Sequence, residues 1–297
     1  MTTSEFHANP DNFCYRHPGR QSFVLCQRCM RTICPECQTQ AAVGVICPEC
    51  MAEQRRNESP AQRRARRSWG SRSMTAVGGR PLVTYWILGI TTAIGLLQFL
   101  PGLGPLITDA LQFWAGYLYP PLSGQPFEPW RMLTVVLVHG GFIHLGLNML
   151  ALWMIGQSLE PLIGRAKFLT LYLVSALGGS VAMALIAPGT PTVGASGAIF
   201  GLFAALIVIG RHLGANVTGM IIVLAINLVA GFAMGFNIAW EAHVGGIVVG
   251  GLIGFILTRT SRRANARFWW IGLTTALTLV LLAVVAIVPP ILITAGH

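Results

Sequence analysis

Hydrophobic positions divide the chain into two unlike parts. From position 81 onward, apolar residues run in blocks separated by short polar, glycine or proline breaks. Each block is roughly 17–25 residues long, the length a helix needs to cross a bilayer core. Seven blocks can be drawn: 82–100, 133–155, 168–187, 195–210, 217–235, 238–258 and 268–291. The fourth is short and opens on glycine and serine. The stretch 101–130 carries Trp114, Tyr117, Tyr119 and Trp130. Such aromatic residues favour the membrane–water boundary, so this stretch is expected to lie in the interface. Before position 81 the chain is polar and no apolar block lies near its start, so no signal peptide is expected. The pattern predicts an all-α polytopic membrane domain over 81–292, preceded by a linker over 53–80 and a small domain over 11–52.

Composition sharpens that division. Of 297 residues, 54% are hydrophobic and only 10% are charged, against about 25% charged in soluble domains. A soluble globular protein is excluded. The formal charge of +10 does not point to nucleic acid, because it has to be read loop by loop. Arg55, Arg56, Arg63, Arg64, Arg66, Arg67, Arg72 and Arg80 crowd the linker, whose low hydrophobicity predicts disorder. By the positive-inside rule that side is cytoplasmic. Arg165, Lys167, Arg211, Arg259, Arg262, Arg263 and Arg267 then fall in cytoplasmic loops, and Arg131 is the one basic residue left outside. The distribution predicts an N-terminus inside, a C-terminus outside and a bacterial cell membrane. The arginine run also suits weak attraction to anionic lipid.

Ionisable and strongly polar residues within spans are costly and tend to be functional. Three clusters occur: His139 with His144 and Asn148 in the second span, Gly194-Ala195-Ser196-Gly197 opening the fourth, and Glu241-Ala242-His243 opening the sixth. The predicted topology places all three toward one outer side at similar depth. His144 and Asn148 are four apart and share a helix face. Gly197 and Gly201 form one small-residue stripe, and Gly246, Gly250 and Gly254 another. Such stripes let helices approach closely in lipid. If they face each other, Ser196 and His243 meet at the end of a tight contact, as a serine and its base require. Glu241, two residues from His243, points to a different face and is expected as a surface charge.

These strings resemble the rhomboid family of intramembrane serine proteases. The matching residues are Trp130-Arg131, His139, His144 with Asn148, Gly156 through Glu160, Gly194-Ala195-Ser196-Gly197, and Ala242-His243 with Gly246 and Gly250. The resemblance implies a six-helix core plus one C-terminal transmembrane helix. It implies Ser196 as nucleophile and His243 as general base, a dyad without aspartate and without a catalytic cofactor. His144 and Asn148 would line the oxyanion hole with the Ser196 backbone N–H. Gly194 would let the substrate approach, His139 would lie near the site mouth, and Arg131 and Glu160 would be structural. The implied substrates are transmembrane segments of membrane proteins with helix-weakening residues and a small residue before the cut. Two other functions compete with this one. A proteolytically inactive family member that binds membrane clients would not need Ser196 and His243. A transporter would need ionisable groups in the inner halves of these spans, which lack them.

All seven cysteines lie between Cys14 and Cys50. An odd number in close pairs points to metal in a reducing compartment rather than to disulfides. Cys14, His17, Cys26, Cys29, Cys34, Cys37, Cys47 and Cys50 supply eight ligands in four pairs, enough for two tetrahedral zinc sites. His7 is expected as a bystander. The gap between Cys29 and Cys34 resembles a B-box or RING cross-brace, in which alternate pairs share a zinc, and sequential pairing is the alternative. Closed four-ligand sites are structural. Such a domain can bind a protein partner, present substrate or self-associate.

Overall fold

The computed structural model describes residues 9–41, 44–57, 80–233, 239–261, 263 and 265–295. Most of the expected linker, His7 and Arg262 lie outside the described residues, as does the end of the fifth apolar block. The chain separates into two compact units.

The N-terminal unit is built on its cysteines. Strands β1 (Phe13–Cys14) and β2 (His17–Gln21) pair antiparallel, as do β3 (Thr39–Gln40) and β4 (Val45–Ile46). Helix α1 (Pro48–Arg56) closes the unit, with Pro48 in its first turn and the Cys47 thiol accepting from the Cys50 N–H. Its core is mostly cysteine: Cys14, Cys26, Cys34, Cys37, Cys47 and Cys50 are buried around Ile33. So little aliphatic surface cannot stabilise a fold of this size without a staple.

The second unit is helical. Its apolar helices are α2 (Leu82–Gln98), α4 (Phe142–Ile163), α5 (Arg165–Ile186), α6 (Ser196–His212), α7 (Thr218–Ala233), α8 (Trp240–Thr260) and α9 (Ala266–Ala295). Among the described residues, four of them are long and apolar enough to cross a membrane, and α2, α6 and α7 are shorter apolar helices. The 101–130 stretch holds a short helix, α3 (Leu103–Leu111), and several single turns.

The second apolar block is displaced from its expected place. Residues Arg131–Leu137 form short helical turns, and α4 begins only at Phe142. His139 therefore sits on a loop before α4, not inside it. The other end extends to Ile163, past Glu160, because that carboxylate is buried and satisfied. It accepts from the Val83 N–H (3.0 Å), the Thr84 N–H (2.8 Å) and the Thr84 hydroxyl (2.7 Å). An anion there caps the first turn of α2 and matches its dipole. Gly156 makes room for Thr84, whose side chain a Cβ would overlap.

Helix α5 is buried without a break from Val174 to Ala184, which marks it as the inner helix of the bundle. Helices α6 and α8 pack against it and each other through small residues. A Cβ on Gly246 would overlap the Gly197 carbonyl, one on Gly250 the Gly201 backbone, and one on Gly254 would sit 2.9 Å from the Ala205 Cα. On the other side of α8, a Cβ on Gly245 would overlap the Gly178 carbonyl, and one on Gly179 would come within 3.0 Å of the Ala242 carbonyl. The two expected stripes do face each other, and α5 adds a third.

Arg131 is buried, donates to Glu128 and to the Asp109 and Gln112 carbonyls, and stacks over Tyr117. It ties the 101–130 stretch together. Tyr119 from that stretch donates to the Val285 carbonyl of α9. That carbonyl is four residues before Pro289, which has no N–H to offer it.

Candidate active site and metal centres

The first residues of α4, α6 and α8 carry the polar groups, so one end of the bundle collects them. Ser196 is the first residue of α6, and His243 lies in the first turn of α8. Gly197 against Ala242 and Gly246 brings these helix ends together. The Ser196 Oγ and the His243 Nε2 are 2.8 Å apart. His243 is buried, and its ring stacks on Phe200 at 4.1 Å with the planes 8° apart. Phe200 is one turn below Ser196 on α6. The imidazole is thus held by a hydroxyl at one edge and an aromatic face on one side. Its Nδ1 is buried without a hydrogen-bond partner among the described residues. Glu241 does not supply one.

Gly194 precedes Ser196 with φ +123°, a conformation that favours glycine. A Cβ there would also stand 2.8 Å from the His144 Cε1. His144 is therefore packed directly over the Gly194 backbone, next to Ser196. Its Nδ1 accepts from the Gly140 N–H at 3.3 Å, which leaves Nε2 as the nitrogen facing Gly194. Asn148 is buried one turn further along α4 and donates from Nδ2 to the His144 carbonyl at 2.8 Å. That bond commits one of its two amide hydrogens. His139 packs edge-on to His144, ring centres 5.1 Å apart, and its Nε2 accepts from the Ala195 N–H at 3.4 Å. His139 is thus buried beneath the Gly194–Ser196 loop rather than open at a mouth.

A small cleft borders Ser196, with about 320 Å³ of free space counted to its opening. Gly179, Met183, Val193, Gly194 and Ala198 are among its lining residues. Three contributors to this end of the bundle escaped the sequence reading. Phe200 was detectable at i+4 from Ser196, which shares its helix face. The Gly178-Gly179 pair was detectable as a small-residue step in the third block. Gln98 had no signal of its own.

In the N-terminal unit the eight ligands form two groups, Cys14, His17, Cys34 and Cys37, and Cys26, Cys29, Cys47 and Cys50, each with its ligand atoms within 4.8 Å of one another. Alternate pairs therefore come together, which excludes the sequential pairing. His17 Nδ1 lies 3.3, 3.4 and 3.8 Å from the sulfurs of Cys34, Cys37 and Cys14, and the Cys29 and Cys47 sulfurs are 3.8 Å apart. Tetrahedral ligands at about 2.3 Å (sulfur) and about 2.0 Å (nitrogen) from one ion are separated by about 3.5–3.8 Å. Both groups can hold a metal ion. The surroundings favour thiolates unevenly. Burial raises the Cys14 thiol, but the backbone N–H groups of Cys34 and Arg16 outweigh it, and its pKa falls to about 6. Cys26 also falls to about 6: burial opposes the shift, and the backbone N–H groups of Cys29 and Cys47 override it. Burial and the neighbouring Cys14 and Cys34 side chains push Cys37 up to about 11, and burial likewise raises Cys50. Thiols this close cannot all ionise alone, and a bound cation would supply the counter-charge.

Comparison with known proteins agrees with this architecture. The rhomboid domain model matches residues 126–260. The rhomboid protease GluP of Bacillus subtilis is 36% identical over 180 residues, 58% of this chain and 34% of that protein. The putative rhomboid protease YdcA of the same bacterium is 32% identical over 192 residues, 62% of this chain and 92% of its relative. RHOMBOID-like protein 4 of Arabidopsis thaliana is 36% identical over 137 residues, 44% of this chain and 34% of that protein. The chain belongs to the rhomboid family, and it is a multi-pass integral membrane protein. Its match spans about a third of the length of GluP.

Proposed function

We propose that this chain is an intramembrane serine endopeptidase that cuts transmembrane segments of membrane proteins, with Ser196 as nucleophile and His243 as general base. The observation that carries the proposal is the 2.8 Å approach of Ser196 Oγ to His243 Nε2 at one end of the helical bundle. A serine hydroxyl is too weak a nucleophile near neutral pH without such a base.

In the proposed reaction the Ser196 hydroxyl donates its proton to His243 Nε2 as Oγ attacks the substrate carbonyl. Charge then develops on the carbonyl oxygen. The Ser196 backbone N–H belongs to the first turn of α6, at the positive end of the helix dipole, and is proposed as one donor to that oxygen. His144 Nε2 and the uncommitted Asn148 amide hydrogen are the side-chain donors proposed to complete the oxyanion hole. The Ala195 N–H is already taken by His139, so His139 is assigned a supporting role. The imidazolium of His243 returns its proton to the leaving amine, and the acyl group on Ser196 is hydrolysed by water that His243 activates. Among the described residues no carboxylate bonds to His243, and the Phe200 face is proposed to orient the ring instead.

The substrate class follows from the setting. A peptide bond within a helix is hydrogen-bonded and shielded, so a segment must unwind to reach Ser196. The small cleft beside Ser196 suits a small side chain next to the cut. The basic residues before α2, just after α4 and at the C-terminal ends of α6 and α8 support an N-terminus inside and a site near the outer face. Zinc is the ion proposed for both clusters, since all-sulfur and sulfur–imidazole tetrads are typical of it. Its role there is to fold the domain, whose surface then serves a protein partner.

The test is cleavage of a single-span reporter in proteoliposomes. The native chain is expected to release two fragments, and Ser196→Ala and His243→Ala none. A native chain that co-purifies with the reporter and leaves it intact would contradict the protease and support a client-binding protein instead.

A further inference from the structure

Gln98 is the last residue of α2, far in sequence from every residue of the proposed dyad. Its side-chain amide nevertheless grips the backbone of His139. Oε1 accepts from the His139 N–H at 2.8 Å, and Nε2 donates to the His139 carbonyl at 2.8 Å. The remaining amide hydrogen goes to the Thr108 hydroxyl at 2.9 Å, which in turn donates to the Gly104 carbonyl at 3.0 Å. Donor and acceptor ends of the amide are dictated by these partners, since a flipped amide would set N–H against N–H and oxygen against oxygen. The pair of bonds to one residue mimics a strand pairing and removes both translation and rotation of that peptide.

What the grip holds matters because of where His139 points. Its Nε2 receives the Ala195 N–H at 3.4 Å, directly before Ser196, and its ring packs edge-on to His144. His139 is on a loop, with Gly140 and Gly141 after it, so the backbone there has no helix or sheet to fix it. We infer that Gln98 is a positioning residue for the proposed protease site: it fixes the His139 backbone, and through the His139 ring it sets the height of the Gly194–Ser196 loop beside His243 and His144. This rests on the assignment of Ser196 and His243 as the dyad. A purely structural role, joining α2 to α3 through Thr108, would need only one of the three bonds.

The inference separates from general stability through a pH profile. In Gln98→Glu, the neutral acid offers the same carbonyl acceptor and one O–H donor, so it restores the grip. The ionised form keeps the acceptor, lacks the donor and sets a negative charge against the His139 carbonyl. Gln98→Leu keeps the volume and has neither group at any pH. The readout is the rate at which a fluorophosphonate labels Ser196 in the full-length protein, with Ser196→Ala as blank and melting temperature measured in parallel.

Gln98→Leu is expected to label at least about 10-fold more slowly than the native chain, about 1.4 kcal/mol of barrier. The deficit should be similar at every pH. Gln98→Glu is expected to match that deficit at high pH and to recover toward the native rate as pH falls, without a parallel rise in melting temperature relative to Gln98→Leu. Native-like labelling of both variants overturns the inference while leaving the dyad intact. A Gln98→Glu deficit that does not recover, or a Gln98→Glu chain unfolded at low pH, overturns it as well. A native chain that is not labelled above the Ser196→Ala blank removes the dyad and this inference with it.

Discussion

Substituting Gly246 by alanine tests whether helix contact sets the catalytic distance. The new Cβ would overlap the Gly197 carbonyl, and both sides of the clash are backbone on regular helix. No side chain can rotate away. With favourable contact near 3.5 Å, α6 and α8 must part by more than about 1 Å. Overpacking of this kind costs about 1–3 kcal/mol of stability. The separation also stretches the 2.8 Å gap between Ser196 and His243 beyond the roughly 3.2 Å reach of a general base. A misplacement of about 1 Å lowers rates by about 100-fold, or about 2.7 kcal/mol of barrier. The assay is reporter cleavage in proteoliposomes alongside thermal unfolding. Gly251→Ala is the control, because a Cβ there meets nothing within 4 Å. If Gly246→Ala cleaves and melts like Gly251→Ala, the packing argument is wrong.

Other consequences follow from single residues. Phe200→Leu removes the ring that stacks on His243, and with aromatic pairs contributing about 0.5–1.5 kcal/mol cleavage should fall by about 2- to 10-fold at nearly unchanged melting temperature; a native rate would mean the stack does not orient the base. Glu160→Gln replaces an acceptor of three hydrogen bonds at the start of α2 and should cost about 1.5–3 kcal/mol, read as a lower melting temperature, whereas an unchanged one would refute the capping role. Chelation should remove about two metal ions per chain by the four-ligand argument, and it should raise hydrogen exchange across residues 9–57 without abolishing reporter cleavage. Protection unchanged after metal loss would show that the cysteine clusters do not fold that unit.

The architecture was legible where spacing alone determines contact. Gly197 and Gly201 against Gly246 and Gly250 could be paired because small residues four apart leave one face open, and that pairing places Ser196 beside His243. The cysteine pairs were legible for the same reason, although which pairs share an ion needed the fold, since hairpin geometry decides it. Hydropathy failed around His139. Residues 131–138 are as apolar as a span, but Gly140-Gly141 breaks the chain and the helix begins at Phe142. It failed again past position 155, where the helix continues to Ile163 because the buried Glu160 satisfies α2 from another helix. Gln98 was invisible because its grip on His139 is on backbone atoms, which carry no residue signature.

The central claim is that Ser196 is activated by His243. Mass mapping of a fluorophosphonate adduct on the full-length protein in lipid tests it most directly. The account predicts one adduct, on the peptide containing Ser196, absent in Ser196→Ala and strongly reduced in His243→Ala. An adduct on another serine, or equal labelling of the native and His243→Ala chains, would contradict it.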